Sequence, residues 1–264
     1  MLKIGEGLML LTFNSEIADG YKSNAQRARV LTENWVATHT FCPVCGKPSL
    51  SQYGANRPVA DFYCDDCLSE YELKSKDNKT GTVSSKVPDG AYETMISRIT
   101  SLNNPNFFFL AYYNNAVNNF LMIPNYFFTP AIVEKRKPLS NNARRAGWVG
   151  CNINISGIPE IGRIFIVKNS IAISKDSVIG RYQKARRLET KNVESRGWLL
   201  DVLSCVDKIP DNEFSLAQVY SFESELAAKY PNNNNIRAKI RQQLQMLRDR
   251  GFVEFSNRGI YRKL

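Results

Sequence analysis

Residues 57–76 read RPVADFYCDDCLSEYELKSK, and this stretch predicts two kinds of metal chemistry within one hairpin. Asp61 is followed eleven residues later by Glu72, Leu73 and Lys74, with two cysteines in between. If YELKSK forms a strand, its side chains alternate between two faces, so Glu72 and Lys74 point one way and Leu73 points the other. An antiparallel return from the preceding segment would place Asp61 beside Glu72.

These acidic and basic residues follow a pattern typical of a magnesium-dependent nuclease. Two carboxylates and a backbone oxygen suit a hard cation that keeps several of its water ligands. Such a cation lowers the pKa of an attacking water and stabilises charge on the scissile phosphate. Lys74 is placed to orient that water or to neutralise the developing negative charge. Charged residues on an ordinary edge strand give the same string, so Asp61, Glu72 and Lys74 alone do not identify a nuclease.

The cysteines around this stretch predict a structural zinc site. Cys42 and Cys45 form one pair, Cys64 and Cys67 form a second, and 18 residues separate the pairs. This spacing is typical of tetrahedral zinc, and four thiolate ligands leave no open position for catalysis. The alternatives are two disulfides in a secreted domain, or four unrelated thiols. A zinc site of this kind contributes roughly 10–16 kcal/mol of apparent free energy and would hold the loop around Asp61 in place.

Composition narrows the class of protein and its partners. The chain has 264 residues and a formal net charge of +10, and its C-terminal third is the more basic part per residue. A basic surface attracts polyanions, so nucleic acid is the expected partner, although charge alone also fits a merely basic protein. The apolar segment GLMLLTF at residues 7–13 is too short for a membrane span or a signal-peptide core. We therefore expect no membrane partner and a reducing, cytoplasmic location.

Hydrophobic patterning divides the chain into two predicted domains. Residues 1–182 are predicted to form an α/β domain with one packed sheet. Its predicted elements are a helix over residues 22–36, the hairpin, a helix capped by Asp89, and strands at the apolar runs 107–113, 119–123 and 163–168. The polar run at 181–196 is interpreted as the linker. Residues 183–264 form the second predicted domain.

A polar loop at residues 138–150 of the first domain is a candidate DNA contact. It places Arg144 and Arg145 close to Trp148 in the sequence. Arginines beside a planar indole suit phosphate clamping and base contact. The alternative is a surface loop whose tryptophan packs on the core.

The second domain has the pattern of a winged helix. Residues 197–209 are amphipathic, and Ser215 with Gln218 forms a capping box that starts a helix running to about Tyr230. A third helix begins near Ile236 and is followed by a hairpin. The third helix of this fold enters the major groove, where Arg pairs with guanine and Asn or Gln with adenine. The predicted base contacts are Asn235, Arg237, Gln242 and Gln245, the phosphate contacts are Lys239 and Arg241, and the wing contacts are Arg258 and Arg262. A winged helix used for protein contacts is the alternative.

Several segments together carry a family resemblance over nearly the whole chain. They are NRPVADFYC, ELKSK, NNPNFFFL, RKPLSNNARRAGWVGCNI and the end from IRQQLQMLRD to YRKL. In this order they resemble the DpnI-type (type IIM) methyl-directed restriction endonucleases. The resemblance implies a PD-(D/E)xK restriction-endonuclease-like α/β sheet with an inserted four-cysteine zinc site, followed by a small winged-helix domain. It also implies cleavage of duplex 5′-GATC when the adenine carries an N6-methyl group.

Carried onto this sequence, the resemblance makes Asp61, Glu72 and Lys74 the catalytic residues and the Leu73 carbonyl a further Mg²⁺ ligand. One departure is that Ala60 precedes Asp61, while the motif's proline, Pro58, stands three residues back. The chemistry uses only the carboxylates and the lysine.

Methyl recognition needs a fitted apolar pocket, since one methyl group contributes only about 1 kcal/mol. Trp148 and Trp198 are the hypothesised walls. We expect a monomer that binds double-stranded adenine-methylated DNA. The alternative function is a catalytically inactive DNA-binding regulator with zinc and a winged helix; the presence of all three catalytic side chains favours the nuclease.

Overall fold

The computed structural model describes residues 3–4, 7–54, 60–101, 104–190 and 192–264, with backbone alone for 3–4 and 7–8. Two compact units are present, and each is assembled from separate segments. The first contains the residues before 88 together with 101–125 and 161–186; the second contains 88–100, 126–160 and 187–264. The predicted domain boundary between 182 and 183 stays a prediction.

Strands predominate up to residue 172, and helices predominate from residue 175 onward. The first strands are β1 (Lys3–Ile4), β2 (Gly7–Leu8), β3 (Ser51–Gln52), β4 (Phe62–Tyr63), β5 (Glu70–Asp77), β6 (Lys86–Ala91), β7 (Asn106–Tyr113) and β8 (Ala116–Ile123). They are followed by β9 (Val133–Lys135), β10 (Gly150–Asn154), β11 (Ile164–Lys168), β12 (Ile171–Ala172), β13 (Glu213–Ser215), β14 (Val253–Asn257) and β15 (Ile260–Lys263). The helices are α1 (Asn24–His39), α2 (Tyr92–Thr100), α3 (Lys175–Arg186), α4 (Val193–Lys208), α5 (Leu216–Tyr220), α6 (Glu223–Lys229) and α7 (Ile236–Asp249).

A seven-stranded mixed sheet forms the centre of the first unit. Its strand order is β12-β11-β8-β7-β5-β4-β3. Strands β5 and β7 are parallel, with Glu72 opposite Phe107 and Lys74 opposite Phe109, while β4 pairs antiparallel with β5. The predicted strands at 107–113, 119–123 and 163–168 are confirmed as β7, β8 and β11.

Aromatic side chains hold this sheet together and fix the strand that carries Glu72. Phe108 on β7 is fully buried and stacks on Tyr71 of β5, with ring centroids 4.5 Å apart. Trp35 on α1 is also buried and meets Phe120 of β8 edge-on at 5.4 Å. Burial of a large aromatic residue dominates core energetics, so these contacts hold α1 against the sheet.

Two local expectations are wrong. Asp89 lies in β6 and does not cap a helix, because α2 begins only at Tyr92. Residues 58–59, in the apolar segment that leads to Asp61, lie outside the described part of the chain.

The predicted linker at 181–196 is the second. Most of it is helical, because α3 continues to Arg186 and α4 begins at Val193. Tyr182 and Ala185 are buried within a sequence that reads as polar, so α3 is held by packing that the composition hides.

The C-terminal segment of the second unit has the predicted winged-helix layout. Helices α4 to α7 are followed by the β14–β15 hairpin, and β13 completes a three-stranded antiparallel sheet of order β13-β15-β14. The capping box is confirmed, since the Ser215 side chain accepts from the Gln218 backbone and the Gln218 side chain accepts from the Ser215 backbone. The helix that it starts is interrupted, because α5 ends at Tyr220 and α6 begins at Glu223. Among the described residues, no helix combines the length and apolar character required to cross a membrane.

Candidate active site

A pocket of about 490 Å³ brings the three predicted catalytic residues together. Asp61, Glu72 and Lys74 all line it, and Arg29 and Glu33 of α1 complete its wall. Because β5 contributes alternate residues to each face, Glu72 and Lys74 reach the pocket from the same strand. The pocket therefore lies between α1 and β5, at the point where β4 begins.

Asp61 is fixed by two hydrogen bonds to β5. Its backbone N–H donates to the carbonyl of Tyr71 at 2.9 Å, and its carboxylate Oδ2 accepts from the backbone N–H of Leu73 at 2.7 Å. The ladder between β4 and β5 stops at Phe62, so the Asp61 side chain takes the place of a backbone partner for Leu73. The N–H and C=O of one strand residue point to the same side. The Leu73 carbonyl is thereby directed toward the Asp61 side of β5.

Glu72 and Lys74 form an ion pair at the pocket floor. The Lys74 Nζ lies 2.6 Å from the Glu72 Oε1, and these side chains are only 19% and 15% exposed. Because both are largely shielded from water, this pair is held more firmly than a surface salt bridge. Lys74 offsets the charge of Glu72 within the pocket.

Negative charge is concentrated around Asp61. Burial raises the pKa of the Asp61 carboxyl above its ordinary value, and the neighbouring Glu33 and Glu72 raise it further. The Leu73 N–H and the Lys74 ammonium act in the opposite direction on this pKa. Carboxylates gathered at this density repel one another, and a bound cation relieves that repulsion.

Glu33, which lies within the predicted helix at 22–36, is a pocket residue that the sequence patterns do not identify. Its Oε1 accepts from the Arg29 Nε at 2.6 Å, and its Oε2 accepts from the Gln52 Nε2 at 2.8 Å. The spacing of Arg29 and Glu33 is that of an ordinary i,i+4 helix pair, so no local signal marks either residue as part of a site. Only the packing of α1 beside β5 brings Glu33 to Asp61.

The donor set of the pocket fits a magnesium ion. Mg²⁺ prefers oxygen ligands and is usually held by one or two carboxylates while retaining water. Asp61, Glu72 and Glu33 supply carboxylate oxygens, and Leu73 supplies a carbonyl on the same side. The mutual repulsion that raises the pKa of Asp61 is the further sign that this site favours a cation.

The four predicted zinc ligands converge in the first unit. The Sγ atoms of Cys42, Cys45, Cys64 and Cys67 all lie within 4.8 Å of one another. The Cys42–Cys67 and Cys45–Cys64 separations are 3.6 and 3.5 Å. A disulfide requires about 2.05 Å, whereas thiolates bound tetrahedrally at about 2.3 Å from zinc lie roughly 3.8 Å apart. The geometry fits a metal centre, and these cysteines are not paired in disulfides.

Each cysteine pair sits on a tight turn of the same design. The Gly46 N–H donates to the Cys42 carbonyl at 2.8 Å, and the Leu68 N–H donates to the Cys64 carbonyl at 2.9 Å. Gly46 and Leu68 have φ values of +83° and +58°, so both turns close through a left-handed residue. Glycine adopts that conformation without strain, whereas leucine does not.

The two turns are also joined by charge. Lys47 bridges Asp65 and Asp66 at 3.0 and 2.8 Å, which links the first cysteine pair to the second. Burial raises the pKa of the Cys42 and Cys45 thiols, so metal loading must displace protons and depends on pH.

The predicted base-reading residues lie on the outer face of α7. Asn235, Arg237, Arg241, Gln242 and Gln245 are all exposed, and Lys239 is half-buried. A polar pocket of about 550 Å³ adjoins the start of this helix. Its lining comprises Asn232, Asn233, Asn234, Asn235, Ala238, Lys239 and Gln242. This surface offers the amide groups that pair with adenine.

Two of the predicted arginine contacts are held in ion pairs. Arg237 lies 2.8 Å from Glu223. Arg262 on the wing bridges Glu213 and Glu254 at 2.9 and 3.0 Å. Arg258, at the wing turn, is exposed. To contact DNA, Arg237 and Arg262 would have to exchange or share their carboxylate partners. The contact of all three arginines with DNA stays a prediction.

Trp148 in the loop at 138–150 has features of both interpretations, a tryptophan packed on the protein and a tryptophan beside arginines at the surface. Trp148 is half-buried, and a Cβ at Gly150 would lie 2.8 Å from its ring, so the indole packs on the bare Gly150 backbone. The Arg145 guanidinium lies 4.6 Å from the ring centroid, while Arg144 is exposed. Trp148 is thus anchored on the protein and held by a cation–π contact that keeps it near the surface.

Trp198 does not have the predicted role. It is only 1% exposed and stacks on Tyr230 with ring centroids 3.8 Å apart, which contradicts a direct contact with DNA or a methyl group. Trp198 lies on the inner face of α4. The Tyr230 hydroxyl donates to Asp201 at 2.7 Å, which locks the stack in place.

The two cysteines outside the cluster are buried. Cys151 and Cys205 are 0% and 1% exposed. Burial raises the pKa of the Cys205 thiol to about 12, which makes it a poor nucleophile.

Two family models match the chain in succession. The DpnI model, described as the Dam-replacing family, matches residues 9–191. A second model, described as the Dam-replacing HTH domain, matches residues 194–263. The resemblance found in the sequence is therefore confirmed. The mixed α/β sheet, the cysteine cluster and the C-terminal helical domain confirm the predicted fold class.

Proposed function

We propose, on the premise that this chain belongs to the DpnI or Dam-replacing family of methylation-dependent restriction enzymes, that it is a Mg²⁺-dependent endonuclease. Its proposed substrate is double-stranded DNA containing 5′-GATC in which the adenine carries an N6-methyl group. The observation that carries the proposal is the single pocket shared by Asp61, Glu72 and Lys74. A DNA-binding protein without nuclease activity has no use for this arrangement.

In the proposed site, Asp61, Glu72 and the Leu73 carbonyl hold Mg²⁺, and Glu33 is close enough in the same pocket to assist. When bound, such an ion supplies a water of lowered pKa and a charge that stabilises the phosphorane-like transition state. The protein's part is to fix the ligands in advance. The Leu73 N–H holds the Asp61 carboxylate at 2.7 Å, so little ordering remains when the ion arrives.

Lys74 supplies the fixed positive charge beside the reacting phosphate. Its ammonium lies 2.6 Å from Glu72, and a lysine ammonium carries three N–H donors, which suits it to contact the attacking water or a phosphate oxygen. A donor aimed at charge that develops in the transition state contributes more than one that acts equally on the substrate. Lys74 is the residue whose loss should affect the rate more than DNA binding.

Recognition of the site is assigned to the winged helix and to the loop at 138–150. The exposed Asn235, Gln242 and Gln245 suit adenine in the major groove, and Arg241 suits the backbone. Trp148 remains the candidate wall for the methyl group. We propose that one chain acts as a monomer on its duplex substrate, with a structural zinc held by the four clustered cysteines.

The test compares plasmid DNA prepared in an adenine-methylating host with the same plasmid from a non-methylating host. Each is incubated with the protein, with Mg²⁺ or with chelator, beside the Glu72→Ala variant. We expect cleavage only of methylated DNA, only with Mg²⁺, and not by the variant. Binding of methylated DNA without cleavage, unchanged in Glu72→Ala, would instead establish a regulator that no longer cuts.

A further inference from the structure

Tyr71 lies between the cysteine cluster and the acidic pocket. Its neighbour Glu72 faces the pocket, and since side chains alternate along β5, the Tyr71 side chain points to the other face of the sheet. There the Tyr71 hydroxyl lies 3.0 Å from the Cys42 Sγ. Both residues are 0% exposed, so water does not compete for this contact.

The backbone of Tyr71 is also tied to the acidic pocket. Its carbonyl accepts the hydrogen bond of 2.9 Å from the Asp61 N–H. Asp61 stands three residues before Cys64, and Tyr71 pairs in the ladder with Phe62 between them. Tyr71 therefore contacts Cys42 of the cluster through its side chain and Asp61 through its carbonyl, and it directly precedes Glu72 in the chain.

The Tyr71 hydroxyl needs the cysteine as a partner. The ring is held by stacking on Phe108 at 4.5 Å with an interplanar angle of 6°, so it cannot turn the hydroxyl toward solvent. A buried hydroxyl left without a hydrogen bond costs about 1–3 kcal/mol. A tyrosine hydroxyl keeps its proton at neutral pH and is a donor, whereas a metal-bound thiolate is an acceptor.

We propose that Tyr71 is a positioning residue that donates a hydrogen bond to the Cys42 thiolate of the zinc centre and thereby sets the placement of Asp61 and Glu72. The proposal rests on the zinc and magnesium sites of the proposed function. Outer-shell donors to metal ligands hold those ligands in orientation, and their loss typically lowers metal affinity by about 10–100-fold. Here the donor belongs to the strand that carries the second metal site.

Tyr71→Phe tests this in the full chain, because it removes the hydroxyl and keeps the ring that stacks on Phe108. Zinc affinity is measured by competition with a chromophoric chelator, and the full chain is also loaded with Co²⁺ to record the thiolate-to-metal charge-transfer band. Affinity of the acidic pocket is measured separately, by titrating Mn²⁺ without DNA. Tyr63→Phe is the matched control, since Tyr63 is a half-buried tyrosine of β4 that stacks on Tyr53.

We expect Tyr71→Phe to weaken zinc binding about tenfold, to shift the Co²⁺ charge-transfer band, and to weaken Mn²⁺ binding several-fold, while Tyr63→Phe changes none of these. Unchanged zinc affinity and an unchanged Co²⁺ band in Tyr71→Phe overturn the proposal. Weaker zinc binding with unaltered Mn²⁺ affinity overturns the link between the two sites. None of these measurements requires DNA cleavage, so a wild-type protein that binds Mn²⁺ but does not cut refutes the proposed function alone.

Discussion

The carboxylate of Asp61 accepts a hydrogen bond from the backbone N–H of Leu73, the residue that separates Glu72 from Lys74. At 2.7 Å this is a short, charge-assisted bond, and it holds Asp61 in a position that its neighbours make unfavourable. Burial and the carboxylates of Glu33 and Glu72 raise its pKa. In the proposed function, the pocket is arranged for a bound cation at the expense of the metal-free fold, as is common where function and stability conflict.

Asp61→Asn should stabilise the protein in the absence of Mg²⁺, since the amide retains an oxygen for the Leu73 N–H and carries no charge. The pKa of Asp61 is raised in the folded state above an unfolded value of about 3.9. The wild type therefore loses stability as pH rises from about 4 through the folded pKa, and the variant does not. We expect a higher midpoint of thermal unfolding for the variant at pH 7.5 and equal midpoints near pH 3.5.

Asp65→Asn is the control, and we expect it to change the unfolding midpoint in the opposite direction. Hydrogen bonds from Lys47 and Ser51 lower the pKa of the Asp65 carboxyl, so its contribution is present above the unfolded pKa and disappears as pH falls through the folded pKa. Asp65→Asn should lower the unfolding midpoint at pH 7.5, with the difference shrinking in acid. A destabilised Asp61→Asn at neutral pH would show that repulsion does not dominate the pocket.

Lys74→Met should abolish most cleavage and leave DNA binding nearly intact. Removing one preorganised charge from a developing transition state typically costs about 10²–10³ in rate. Lys76→Met is the matched control, because Lys76 follows on the same strand and face but is exposed and donates to Ser84 outside the pocket. Single-turnover cleavage and binding measured with Ca²⁺ separate the two effects. Equal losses for the two lysines would contradict a specific role for Lys74.

Cys45→Ser should release zinc and unfold the hairpin that carries Asp61. Four-cysteine sites contribute roughly 10–16 kcal/mol of apparent free energy, so weakening one ligand should lower stability by several kcal/mol. Cys205→Ser is the control, since Cys205 is buried far from any cluster ligand in sequence and belongs to α4. Zinc content by atomic emission should fall from one equivalent toward zero in Cys45→Ser only. Full zinc content in that variant would show that the cluster does not hold the metal.

Much of the metal chemistry was predictable because its signals are local. The cysteine spacing and the alternation of Glu72 and Lys74 each follow from a few neighbouring residues. Glu33 was not predictable, since it enters the pocket only when α1 packs on β5. In the sequence, Arg29 and Glu33 have the spacing of an ordinary i,i+4 helix pair.

Trp198 was misread for a related reason. In a basic domain, an aromatic residue near polar neighbours suits either a core or a DNA surface, and only the packing of α4 against Tyr230 decides. The C-terminal part of α3 was predicted as linker for the same reason, because its composition is polar although Tyr182 is buried.

Gln242→Ala and Arg241→Ala should weaken DNA binding in different ways. Gln242 is an exposed amide at the polar pocket of α7, so its loss should cost about 1–3 kcal/mol for GATC and relax discrimination against other sequences. Arg241 is a predicted phosphate contact, so its loss should weaken binding to all sequences. It should also reduce the slope of log affinity against log salt concentration by about one. Affinities for methylated GATC and a scrambled duplex, each over a series of salt concentrations, distinguish the two. If Arg241→Ala relaxed the sequence preference and Gln242→Ala weakened binding to all sequences, Arg241 would be the base contact and Gln242 the phosphate contact.

Substitution of Trp148 and Trp198 by alanine should have opposite effects. Trp198 is buried against Tyr230, so Trp198→Ala should lower the free energy of unfolding by about 3–5 kcal/mol. Trp148 is half-buried on Gly150, so Trp148→Ala should cost less stability but reduce the preference for methylated over unmethylated DNA. Denaturant unfolding and paired binding assays on the two DNA forms measure both quantities. Because a methyl group contributes only about 1 kcal/mol through burial, loss of one wall should reduce the preference by roughly fivefold. An unchanged preference in Trp148→Ala would place methyl recognition on another surface, with α7 the next to test.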